Sequence, residues 1–152
     1  MKLRIRDIER EKSIELEETI PPSHFSLESP DRPELAGPIQ ARMKAEIQDG
    51  DAWAWVQVQA SLTLLCARCL ERFGLDVQPV FEVEAPVTEE YLDVDDEIRQ
   101  NLLLALPMKP LCVPGCRGLC SSCGKNLNKG GCGCPPPQTG SAFDVLKNLK
   151  LK

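Results

Sequence analysis

From Ile39 to Leu64 the chain changes polarity at almost every residue. Ile39, Ala41, Met43, Ala45 and Ile47 are apolar, and Gln40, Arg42, Lys44 and Glu46 stand between them. After Asp49-Gly50-Asp51 the apolar set moves to even positions, Ala54, Val56, Val58, Ala60, Leu62 and Leu64, alternating with Gln57, Gln59, Ser61 and Thr63. A period of two sends successive side chains to opposite faces of a strand, and no helical period fits these positions. Asp-Gly at the junction is a hairpin signal. The stretch therefore predicts two long antiparallel strands with one buried face. VQPVFEVEAPV (77–87) puts Val77, Phe81, Val83, Ala85 and Val87 in one register and predicts a third.

On the N-terminal side, Leu3 and Ile5, then Ile14, Leu16 and Ile20, alternate with charge around a polar turn, which predicts a short hairpin or a pair of strands. Residues 21–38 hold five prolines and one glycine and read as an ordered loop. The period changes after Val87. Asp93, Asp95, Asp96 and Glu97 crowd the start of a segment in which Ile98, Leu102 and Leu106 follow at i,i+4 spacing, with Pro107 as the stop. That is an amphipathic helix over about 93–106, favoured by its own dipole, and Leu103 and Leu104 predict that it packs across the sheet. The fold class expected is α+β: mainly an antiparallel sheet or partial barrel with one packed helix, plus a small C-terminal cysteine-rich module. The expected divisions are a β-rich body over 1–106, the module over 107–138 and a helical tail over 139–152, with Phe143, Leu146 and Leu149 on one side of that tail.

Eight cysteines need an account. The first twenty residues mix charge into every turn and contain no apolar core of a secretory signal, and no apolar run approaches the length of a membrane span. A cytosolic, reducing location is therefore expected, which disfavours disulfides. A redox Cys-x2-Cys sits at a helix N-terminus in a βαβ setting, and neither Cys66/Cys69 nor Cys120/Cys123 has one. Metal ligation fits. Cys120 and Cys123, followed by Gly124, present two thiolates from one turn, and Cys132 and Cys134 offer a second pair after a reversing KNLNKGG (125–131) segment. Cys66 and Cys69 with Cys112 and Cys116 make a second candidate site, in which Pro114-Gly115 supplies the bend. A rival partition joins Cys66/Cys69 to Cys120/Cys123 and leaves Cys112, Cys116, Cys132 and Cys134. Either way the expectation is two structural Zn²⁺ per chain.

Four-thiolate sites are closed, whereas catalytic zinc keeps an open position beside a general base. The single histidine, His24, lies in the proline-rich loop and reads as a surface or packing residue. There is no GxSxG, P-loop or GxGxxG, and the acidic cluster at 93–97 reads as a helix start. No enzyme and no small-molecule substrate are expected. The charge is divided: residues 1–106 carry 11 Lys/Arg against 22 Asp/Glu, while residues 107–152 carry 7 Lys/Arg and one acid, Asp144. Thiolates on zinc would lower the positive balance of the C-terminal part. What remains makes Arg117, Lys125, Lys129, Lys147, Lys150 and Lys152 candidate phosphate contacts. Phe143 is the only aromatic residue after 107, so base stacking is not expected.

CARC at 66–69, then LLLALPMKPLC, then C-x3-C-x-GLC-x2-CG-x-NLN, a closing C-x-C and an F-x-x-LKNLK end follow one another in an order that resembles the bacterial YceD family, the large ribosomal RNA subunit accumulation proteins. The resemblance is most specific over about 64–134. It implies a non-enzymatic ribosome-biogenesis factor that supports accumulation or processing of large-subunit (23S) ribosomal RNA. The partner would be that RNA, a pre-ribosomal particle or an assembly-related protein. The alternative is a zinc-stabilised adaptor that holds another protein and affects RNA indirectly.

Overall fold

The computed structural model describes residues 1–27 and 33–135. Strand β4 (Ile39–Gln48) and strand β5 (Asp51–Leu65) form the long hairpin that the alternation predicts, in register from Gln40↔Gln59 to Gln48↔Asp51. Asp49 and Gly50 turn it, both at positive φ (50° and 94°), a conformation that Gly and Asp tolerate best. β2 (Ser13–Ile20) lies antiparallel along the other side of β4. The far edge of β5 is covered by β6 (Arg72–Val77) and β7 (Val80–Pro86). These two keep a single register along β5, from Leu65↔Arg72 to Asp51↔Pro86. Only Gln78-Pro79 interrupts them, because proline has no N–H to donate, although its carbonyl still accepts from Val58 N at 3.0 Å. A two-residue strand, β3 (Glu34–Leu35), pairs with β5 at Thr63 and Leu62, beyond the reach of β4. β1 (Lys2–Arg4) and β8 (Tyr91–Asp93) form a separate two-stranded ribbon.

One face of the sheet is the core. Ile39, Ala41, Met43 and Ala45 on β4 and the even residues Ala52 to Leu64 on β5 are buried there. Helix α1 (Ile5–Glu11) lays Ile5 and Ile8 against them, and helix α2 (Asp95–Leu104) adds Ile98 and Leu102. Each such side chain contributes roughly 1.5–3 kcal/mol by leaving water. No polar or charged residue is buried among the described residues. A second, smaller cluster gathers Cys66, Cys69 and Cys116 with Phe73, Leu111 and Cys112.

Four expectations are corrected. The polar turn expected between Ile5 and Ile14 is helix α1, which takes in Ile5 itself: Ile5 and Ile8 stand three apart, and the helix ends at Lys12, whose N–H reaches Ile8 O at 2.8 Å. Two helices therefore pack on the sheet, not one. No strand pairing closes the sheet into a barrel; β2 and β3 on one side and the β6–β7 ladder on the other are its edges among the described residues. The predicted third strand is β7, but a strand that the alternation does not show, β6, precedes it from Arg72 and so runs straight out of the Cys66–Cys69 loop. Finally, Leu104 does not pack on the sheet, being 79% exposed, because Ile98 and Leu102 already occupy the stripe of α2 that faces it. The tail expected over 139–152 lies outside the described residues.

Candidate metal centre

All eight cysteines are reduced and gather as two quartets. Cys66, Cys69, Cys112 and Cys116 form one; Cys120, Cys123, Cys132 and Cys134 form the other. Within each quartet the sulfur atoms lie within 4.8 Å of one another. The rival partition is not the one that the fold assembles.

The first quartet is built on the end of the β5–β6 hairpin. Cys66 follows the last residue of β5, its N–H bonded to Glu71 O at 2.9 Å, and Leu70 N–H returns to Cys66 O at 2.9 Å. The second quartet repeats this knuckle: Cys120 N–H bonds Lys125 O at 2.9 Å, and Gly124 N–H returns to Cys120 O at 2.9 Å. In both, the residue after the second cysteine is left-handed, Leu70 at φ 59° and Gly124 at φ 71°. The sequence reading recognised the turn only where glycine marks it. Ala67 N–H donates to Pro110 O at 2.8 Å and ties the incoming segment to the hairpin end. That segment carries Cys112, and a turn through Pro114-Gly115, closed by Cys116 N–H on Val113 O at 3.0 Å, brings Cys116 back to the site.

The distances fit a tetrahedral ion. Cys66 Sγ lies 3.6 Å from Cys116 Sγ, and Cys69 Sγ lies 3.6 Å from Cys112 Sγ. Four sulfurs at about 2.3 Å from one metal stand about 3.8 Å apart. A disulfide would need roughly 2.05 Å. Protonation equilibria agree with the geometry. Burial pushes the Cys66 thiol up, but the backbone N–H groups of Cys112, Cys69 and Arg68 converge on its sulfur and bring it down to about 6. Burial, and then the neighbouring thiols of Cys69, Cys66 and Cys116, push Cys112 up to about 12. In the second quartet the backbone N–H groups of Cys123 and Ser122 hold Cys120 down to about 6. Cys123, then burial and Cys132, push Cys134 up to about 12. One thiol of each set ionises easily and another resists, because crowded like charges need a cation at their centre. Residues with this donor set and spacing suit a divalent, thiophilic metal.

The two quartets touch through the turn at 126–129. Asn128 Nδ2 donates to Cys116 Sγ at 3.2 Å, while Asn128 Oδ1 accepts Arg117 N–H at 2.8 Å. Asn126 Oδ1 accepts from Asn128 N–H at 2.9 Å and fixes that turn. Gly118, at φ 75°, passes so close to Arg68 that a Cβ there would stand 3.1 Å from its carbonyl oxygen. Arg68 in turn donates to Cys116 O at 2.8 Å. Neither Asn128 nor Gly118 was singled out from the sequence. Asn-x-Asn and a lone Gly are common, and only the fold reveals what they face.

The candidate phosphate contacts fare differently from one another. Lys129 forms an ion pair with Glu71, and Lys125 Nζ donates to Gly131 O at 2.9 Å. Arg117 is exposed, whereas Lys147, Lys150 and Lys152 lie outside the described residues. His24 belongs to neither quartet: its Nε2 lies 2.9 Å from Asp95 Oδ2, at the start of α2. Asp95, Asp96 and Glu97 fill the first turn of that helix.

Residues 79–150 match the family model described as large ribosomal RNA subunit accumulation protein YceD. Two curated relatives are similar to the chain, both named large ribosomal RNA subunit accumulation protein YCED homolog 1, chloroplastic. The protein of Arabidopsis thaliana is 31% identical over 65 residues, 43% of this chain and 20% of the relative. That of Zea mays is 36% identical over 52 residues, 34% of this chain and 18% of the relative. The chain thus spans about a fifth of the length of these relatives. No solved structure matches it. Among the described residues no helix is long and apolar enough to cross a membrane.

Proposed function

We propose, from the match of residues 79–150 to the YceD family model, that this protein is a non-enzymatic, cytosolic ribosome-biogenesis factor. It would support accumulation or processing of large-subunit (23S) ribosomal RNA. The observation that carries the reading is the family match, supported by relatives whose names state that role. Two Zn²⁺ ions per chain would be structural, one on each cysteine quartet. Metal bound there would supply a fixed anchor for the four thiolates of each quartet. The chain does the rest: its backbone N–H groups hold the thiolates, Arg68 ties the Cys66–Cys69 knuckle to Cys116, and Asn128 ties the second loop to the first site.

In this reading a β-rich body (1–106) lends Cys66 and Cys69 to a zinc module (107–138), with a basic tail (139–152) beyond it. Arg117, Lys125, Lys129, Lys147 and Lys150 would meet phosphate. Lys125 is braced by Gly131 O and Lys129 by Glu71 of the body, so the exposed Arg117 is favoured as the strongest described contact.

Large-subunit RNA should fall relative to small-subunit RNA in cells lacking the protein, and recover with the parent chain but not with Arg117→Glu. Native mass spectrometry of the purified chain should show two zinc ions. Unchanged RNA levels in the deletion strain would overturn the assembly role, and a metal-free chain would overturn the zinc sites. A partner protein that survives nuclease treatment, with no salt-sensitive binding of RNA fragments, would instead establish the adaptor alternative.

A further inference from the structure

Both tryptophans of the chain, Trp53 and Trp55, stand on the face of the sheet opposite the core. They are half-buried between neighbouring side chains, and no described element covers them. Register sets what surrounds them. Trp53 lies between Glu46 on β4 and Glu84 on β7, and Trp55 lies between Lys44 and Glu82. One strand further, Glu15 is opposite Lys44 and Glu17 opposite Arg42. Trp55 Nε1 donates to Glu82 at 3.1 Å, which fixes that ring against the sheet. Arg42 pairs with Glu17 and Lys44 with Glu46. Among the described residues Glu15, Glu82 and Glu84 have no cationic partner. A shallow groove of about 500 Å³, lined by Gln40, Gln57 and Gln59 together with Glu17, Glu18 and the Glu17-paired Arg42, continues the same face.

The buried face already closes the fold, so packing does not call for two indoles on the open one. Aromatic faces attract cations, and unpaired carboxylates beside them repel phosphate and attract ammonium or guanidinium groups. We infer that this face docks an extended lysine- or arginine-rich segment of a partner protein. Carboxylates and indoles would hold its cationic side chains, and the glutamine-lined groove would hold its backbone. This surface is separate from the cysteine-rich module, and it commits the acidic body to a protein partner whether or not the module meets RNA.

Because the only tryptophans of the chain lie on this face, their emission reports its occupancy. The full-length, metal-loaded chain is titrated with an oligoarginine peptide free of aromatic residues, at low and at physiological salt. A saturable emission change that weakens with salt is expected. Glu82→Lys with Glu84→Lys should weaken binding at least about tenfold, as expected when charge complementarity is reversed. Glu89→Lys with Glu90→Lys, equal in charge but off this face, should leave it within about twofold. Circular dichroism and metal content confirm that each variant is folded. No emission change, or equal weakening by both pairs, would overturn the inference. So would an equivalent response to a single-stranded RNA oligonucleotide. An emission change explained by self-association in light scattering would assign the face to a second copy and overturn it as well. A change produced without peptide by Lys147→Glu, Lys150→Glu and Lys152→Glu together would give the face to the chain's own basic end, with the same consequence.

Discussion

Leu70 and Gly124 follow the second cysteine of each knuckle, and both are left-handed, at φ 59° and 71°. For a residue with a Cβ this conformation costs roughly 1–2 kcal/mol, and for glycine almost nothing. A Cβ on Gly124 would meet nothing within 4 Å, so Gly124→Ala should cost about 1–2 kcal/mol through backbone strain alone. Leu70 is 63% exposed and buries little. Leu70→Gly should therefore stabilise the metal-loaded chain by less than about 1 kcal/mol, since the added entropy of an unfolded glycine offsets part of the relief. Denaturant midpoints of the two variants should move in opposite directions; a shift of the same sign would discard the shared-knuckle account. Asn128 poses a different residue-level question, because it belongs to the second loop and yet donates to a sulfur of the first site. Asn128→Ala should weaken metal binding by Cys66, Cys69, Cys112 and Cys116 roughly tenfold and leave the other quartet nearly unchanged. Alkylation of each cysteine, mapped by mass spectrometry during competition with a chelator, distinguishes the sites. Equal loss at both would make Asn128 a packing residue only.

At the scale of elements, legibility followed the length and purity of each pattern. β4 and β5 can be read from residue alternation because the buried set stays in phase over their whole length, with Asp49-Gly50 marking the turn. β6 is obscured because its apolar residues Phe73 and Leu75 are only half-buried and Pro79 breaks the ladder before the clear pattern of β7 begins. α1 is hidden for the opposite reason: Leu3 and Ile5 alternate like a strand, and only Ile8, fully buried, marks the helical period. The knuckles add a pH dependence of their own. With Cys66 and Cys120 held down to about 6, each metal-free quartet presents one thiolate at neutral pH. That thiolate is lost as pH falls through about 6, so protons compete with the metal on the acid side. Bound metal stabilises thiolates further. The loaded chain should therefore keep its ions at pH 7 and release them only below about pH 6, as followed with a zinc-responsive dye. Release that is complete at pH 7, or absent under strongly acidic conditions, would contradict the thiolate assignment.

Over the whole molecule, cysteine spacing was enough to suggest two sites but not to choose between two partitions, because both are compatible with short pairs. The choice comes from topology. The end of the β5–β6 hairpin is held to Pro110 by a backbone hydrogen bond, so Cys112 and Cys116 are delivered to Cys66 and Cys69, and the last four cysteines are left to one another. The same topology separates two clusters of buried side chains, a large one under the sheet and a small one containing Cys66, Cys69 and Cys116. The large cluster contains no metal ligand and has Ile8, Met43, Val56, Ile98 and Leu102 fully buried. Its stability should therefore persist without metal, whereas binding energy is folding energy for short loops that bury almost nothing else. Chelation should leave the far-ultraviolet signal of the sheet largely intact and abolish amide protection over residues 110–135. In hydrogen exchange, amides of β4 and of β5 from Asp51 to Gln59 should stay protected, while those of β5 and β6 nearest Cys66 should lose protection as the hairpin end frays. Collapse of the whole sheet on chelation would show instead that the metal sites and the core fold as one cooperative unit.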